Sequence, residues 1–139
     1  MRPDHALEAK RWLKQARRDL DDAWYCHKGG RYNVACFLAQ QAAEKALKAY
    51  LYSVGEDPWG HSVAELVARC KEIDGAFSSL ASEAATLDKY YIPTRYPNGL
   101  PGGIPAEAFD IHDGERALQV AEKVIEKVEQ VGLTKGWAI

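Results

Sequence analysis

The chain has 139 residues, with 18 Lys plus Arg against 20 Asp plus Glu and a formal net charge of −2. That length suits one domain with a real core. The charge balance excludes a global basic field that would hold nucleic acid by counterion release, so only a local patch could do so. Cys26, Cys36 and Cys70 are an odd number with no Cys-x-x-Cys pair, so neither a disulfide framework nor a zinc ribbon is indicated. No run of about 18 apolar residues is present, and MRPDHALEAK lacks the apolar centre of a signal peptide. A reducing cytoplasm, with no membrane, is the expected setting.

The first predicted helix runs from about Asp4, a plausible N-cap, to His27. Ala6, Ala9, Leu13, Ala16, Leu20 and Ala23 recur at three-four spacing and form its apolar seam. Trp12 and Trp24 flank that seam. Lys10, Arg11, Lys14, Arg17 and Arg18 form a basic cluster, followed by Asp19, Asp21 and Asp22. Mixed charges at this spacing read first as a solvated face with i,i+4 pairs, and second as a patch for RNA or an acidic partner. Gly29-Gly30 then turns the chain.

The next stretch, Asn33 to Val54, is the centre of the molecule. It has no Gly or Pro and is dominated by strong helix formers. Ala35, Leu38, Ala39, Ala42, Ala43, Ala46, Leu47, Ala49, Tyr50 and Val54 cover well over half of its circumference. An ordinary surface helix has a narrower apolar stripe, so this one is expected to touch neighbours on several sides. Gln40, Gln41, Glu44, Lys45, Lys48 and Tyr52 occupy the remaining arc, with Phe37 and Leu51 among them. These two apolar residues predict a cover there, either a loop or a partner chain.

Gly55 ends that helix. Ser62 to Glu65 reads as a capping box for a third helix reaching Glu72, with Val63, Leu66, Val67, Cys70 and Ile73 inward. Phe77, Leu80, Ala81, Ala84, Leu87 and Tyr91 mark a fourth. An irregular stretch follows, about residues 92–112, with four prolines and three glycines. Loops of that length are often functional. Asp113 is the expected cap of the last helix, Leu118, Ala121, Val124, Ile125, Val128 and Val131 its inner face, and Gly132 its stop. Residues 133–139 read as a flexible tail, in which Trp137 and Ile139 either dock on a partner or fray. The expected fold is therefore all-α, a single domain over residues 1–139, built as an up-and-down bundle of four to five helices.

The tract Ala39 to Ala49, AQQAAEKALKA, resembles the signature helix of HEPN domains, a family of small helical bundles. The first helix, His61-Ser62, Arg95-Tyr96-Pro97 and the last helix fall where that family has counterparts. The resemblance implies the bundle fold and a homodimer. It also implies work beside a separate minimal nucleotidyltransferase, often in toxin–antitoxin-like pairs. Endoribonucleases of the family carry an Arg followed four to six residues later by a His. Here Arg11 and Arg18 stand too far from His27, and Arg95 too far from His112, so the pair is missing.

Arg95 lies between Pro93 and Pro97, which restrict its backbone. Its planar fork suits phosphate or carboxylate, and the adjacent tyrosines suit a base. By the resemblance, this tract returns to the polar face of the central helix. The expected ligand site is Arg95, Tyr96, Lys45 and Lys48, with Gln41 orienting and Glu44 at the edge. The plainer alternative is an Arg95–Glu44 ion pair that pins the loop. His61 is expected to be structural, and Asp110-Ile111-His112-Asp113 to be a polar cap. Four scattered histidines give no metal spacing, and Asn98 to Gly103 lacks the Gly-Lys-Ser/Thr end of a phosphate loop. No catalytic residue, metal or cofactor is assigned. The reading is a nucleotide- or RNA-related anion-binding accessory protein. The alternatives are a metal-independent ribonuclease with a degenerate motif and a pure protein-interaction module.

Overall fold

Small side chains at the contact positions set how closely helices can approach. In the computed structural model, which describes residues 5–137, that closeness is concentrated on one helix. Helix α1 is His5–Lys28 and α2 is Tyr32–Ser53. They form a hairpin across Gly29-Gly30, where Gly30 takes φ +78°. Helix α2 packs against α1, against α3 (Val63–Ile73) and against α6 (Ile111–Thr134). Ala35, Ala39, Ala42, Ala43, Ala46 and Ala49 are all 0% exposed. The wide apolar arc of α2 is thus buried by helices on several sides. No strand occurs among the described residues.

The expected cap Asp4 lies outside the described residues. The three arginines of the basic cluster on α1 are ion-paired in place. Arg11 pairs with Glu8 and Arg18 with Asp22 on the exposed face, while Arg17 reaches across to α6. Its guanidinium takes both oxygens of Glu129 at 2.9 and 2.6 Å and Glu122 at 2.8 Å. The Glu129 contact leads in holding this guanidinium above its usual basicity. Both partners are partly exposed, so Arg17→Ala should cost only about 1 kcal/mol. The loss should shrink in 1 M salt, measured as the change in melting temperature at low and high ionic strength.

The predicted fourth helix is broken into three pieces: a 3₁₀ turn at Gly75–Leu80, helix α4 at Ala81–Ala85, and a second 3₁₀ turn at Thr86–Tyr90. Phe77, Leu80, Ala84, Leu87 and Tyr90 face the core. Their spacing is mostly three, the 3₁₀ period. That change of period buries Tyr90 and leaves the expected inward residue Tyr91 half-exposed. Ile73, also expected inward, is 45% exposed at the very end of α3.

The stretch 92–112 is less irregular than predicted. It holds a 3₁₀ turn at Pro97–Gly99 and the short helix α5, Pro105–Ala108, each opened by proline. Helix α6 starts earlier than expected, and its cap is Asp110 rather than Asp113. The Asp110 carboxylate accepts from the His112 and Asp113 amides at 3.0 Å, and Asp113 accepts from the Asp110 amide at 2.9 Å. Gly132 does not stop α6, which continues to Thr134. A Cβ at Gly132 would lie 2.4 Å from the Trp137 ring, so the glycine makes room for that indole to fold back on its own chain. Ile139 lies outside the described residues.

Candidate functional site

The site begins on the polar edge of α2. Glu44 is 3% exposed and Lys48, one turn on, is 7% exposed. Lys48 donates to Glu44 at 3.0 Å. The Gln40 and Gln41 amides donate to the same carboxylate at 3.3 Å. A buried carboxylate needs this many donors to offset its desolvation.

His61 closes the group from outside α2. Its Nδ1 stands 3.3 and 3.4 Å from the two Glu44 oxygens, and Gln40 donates to its backbone carbonyl at 2.9 Å. The residues that follow are held by Asp88 on the second 3₁₀ turn. Its carboxylate accepts from the Ser62 hydroxyl at 2.7 Å and from the Val63 and Ala64 amides at 2.6 and 3.2 Å. Ser62 in turn accepts from the Glu65 amide at 3.1 Å, the N-cap half of the expected capping box. An acidic group at these free amides also suits the helix dipole.

The His61 ring stacks on Tyr91, with centroids 4.9 Å apart and planes 19° apart. Arg95 covers the same ring. Its Cζ lies 4.6 Å from the Tyr91 centroid, 4.3 Å from Phe37 and 5.0 Å from Tyr96. Its Nε donates to the Tyr91 carbonyl at 2.8 Å. The turn that carries it is tied down by the buried Thr94, whose hydroxyl donates to the Tyr90 carbonyl, and by Asn33 of α2, which donates to the Thr94 carbonyl at 3.1 Å. Phe37 therefore has its cover in this chain, as the floor under a guanidinium. Leu51 is 0% exposed in the core and needs no partner to bury it.

The Arg95–Glu44 ion pair does not form, because Glu44 is taken by Lys48 and His61. Among the described residues, no carboxylate pairs with Arg95. The expected ligand residues fall into two groups. Arg95, Tyr96, Gln41, Glu44 and Lys48 belong to the α2 edge or to the turn beside it. Lys45 points elsewhere. It bonds Asp19 of α1 and lines an open groove of about 620 Å³ with Arg11, Trp12, Lys14 and Arg18. Lys48, spent on Glu44, has its Nζ 5.7 Å from the Trp12 ring.

Burial pushes the Cys36 and Cys70 thiols up to about 12, so neither is a thiolate nucleophile at neutral pH. No group of three or more His, Cys, Asp or Glu among the described residues is placed to hold a metal ion. Among them, too, no helix is long and apolar enough to cross a membrane. Asp88 and the His61–Glu44 contact escaped the sequence reading. They join residues from separate segments, which no local pattern links.

An all-helical bundle with an Arg-Tyr-Pro turn folded onto the polar edge of its central helix defines the class. The chain belongs to the HEPN domain family, matched over residues 9–131. It is similar to the crystal structure of TT1696 from Thermus thermophilus, at 43% identity and a TM-score of 0.84, over 88% of this chain and 97% of that one. It is also similar to ST0689, described as an archaeal HEPN homologue, at 36% identity and a TM-score of 0.74, over 88% and 96% of the two chains. The protein named "Putative toxin MJ1304" of Methanocaldococcus jannaschii is 28% identical, over 87% of this chain and 86% of its own.

Proposed function

We propose that the Arg95 turn binds the phosphate of a nucleotide or of an RNA end, and that the protein acts as a non-catalytic accessory subunit, as a homodimer, beside a separate minimal nucleotidyltransferase. The observation that carries the binding reading is the guanidinium lodged on Phe37, Tyr91 and Tyr96 with no carboxylate partner among the described residues. Stacking fixes the plane of the fork, and the Nε bond leaves the terminal nitrogens for an anion. Tyr96, 49% exposed, offers a ring to a base. Membership of a family often paired with nucleotidyltransferases supports the partner, and the missing Arg-to-His spacing supports a role without catalysis.

ATP titrated into the protein by calorimetry should give saturable binding. Arg95→Lys keeps the charge but loses the planar fork, and it should weaken binding about tenfold, roughly 1.4 kcal/mol. A wild type that takes up neither ATP nor a 5′-phosphorylated oligonucleotide would end this reading. The toxin naming of one relative favours a second reading, metal-independent RNA cleavage. It requires RNA to be cut in the presence of EDTA, and intact RNA after incubation with pure protein dismisses it.

A further inference from the structure

We infer that His61 is a second anion-contacting residue of the same site, acting through Nε2, and that the preferred ligand is a nucleoside di- or triphosphate whose phosphate chain spans imidazole and guanidinium. This rests on the Arg95 reading and adds to it a residue and a ligand class.

The imidazole is held from several sides although its side chain is 59% exposed. Glu44 faces its Nδ1, Tyr91 lies under its ring, Gln40 holds its carbonyl, and Asp88 fixes the three residues after it. With Nδ1 committed to Glu44, Nε2 is the outward nitrogen. Glu44 is itself fixed by Lys48, Gln40 and Gln41, so it sets the ring's orientation. Preorganised groups of this kind lose little freedom when a ligand binds.

Arg95 covers the ring that His61 stacks on, so two potential cations share one aromatic plate. On this reading a chain of two or three phosphates offers one phosphate to each cation. In the neutral tautomer that donates Nδ1–H to Glu44, Nε2 is an acceptor and repels a phosphate oxygen. In the doubly protonated imidazole both nitrogens donate, Nδ1 to Glu44 and Nε2 to the phosphate. The charged or titratable groups around the imidazole are Glu44 and Lys48 of α2, Asp88 of the 3₁₀ turn, and Tyr91 and Arg95 of the following segment.

The test is calorimetric titration of AMP, ADP and ATP at neutral pH. The wild type should favour ADP and ATP over AMP by about tenfold, consistent with one charge-assisted hydrogen bond. His61→Gln should lose the preference while still binding AMP through Arg95. Wild-type binding without preference for the longer phosphate chain overturns the inference, whatever the variant does. If Arg95→Lys nevertheless loses affinity, the Arg95 reading survives alone. A wild type that binds none of the three nucleotides overturns this inference, and the Arg95 reading falls with it only if a 5′-phosphorylated oligonucleotide is refused as well.

Discussion

Glu44→Ala should destabilise the fold by about 3–5 kcal/mol, among the largest losses from any single substitution at a polar position. The carboxylate is 3% exposed, and removing it leaves the Lys48 ammonium buried without a counter-charge. Gln40, Gln41 and the His61 imidazole lose an acceptor at the same time. Much of the cost is the orphaned charge, not the strength of the pair itself. Glu44→Met combined with Lys48→Met should therefore recover a large part of the loss, although the two amides stay short of an acceptor. Urea unfolding of the two variants measures this. A Glu44→Ala penalty below about 1 kcal/mol would mean that Lys48 finds water readily and that the edge of α2 is not the desolvated network described.

The difference between single and double replacement bears on why the network exists. A buried ion pair is weak evidence for stability, because well-packed apolar residues of the same volume do as well or better. What the α2 edge contributes is position. Glu44 orients His61, Gln40 holds its carbonyl, and Phe37 seats Arg95. Two segments far apart in sequence, those of His61 and Arg95, are brought together by one helix face.

That convergence marks the limit of what the sequence discloses. The alanine rod was legible because an apolar arc wider than a surface stripe has one common explanation, neighbours on more than one side. The α1 seam and the turn at Gly29-Gly30 were legible for similarly local reasons. The fourth predicted helix was not, because a step of three at Phe77, Leu80, Leu87 and Tyr90 differs little from a helical pattern until hydrogen bonds are seen. Lys45 was grouped with Lys48 as part of one polar arc. Successive helical residues turn by about 100°, however, so Lys45 leaves the Glu44–Lys48 line and meets Asp19 of α1 instead. The Asp88 cap lies 26 residues from Ser62, and no local rule connects such a pair. Arg95 was placed near the central helix by family resemblance, and its aromatic seat emerged only from tertiary packing.

Ala46→Leu should destabilise the fold by about 1–3 kcal/mol, or more where backbones must move apart. Ala46 is 0% exposed on a helix that α1, α3 and α6 all pack against, so a larger side chain has no solvent to turn toward. The informative comparison is with Ala46→Gly. On a solvent-facing helix leucine is nearly as good a helix former as alanine, while glycine costs about 1 kcal/mol, so glycine is the worse change. At a close helix crossing the order reverses, since glycine adds no volume and leucine must displace packed neighbours. Denaturation midpoints for the two variants read out that order directly. Leucine tolerated better than glycine would place Ala46 beside free space, and α2 could not then be the rod on which the other helices, and through them the Arg95 turn, take their positions.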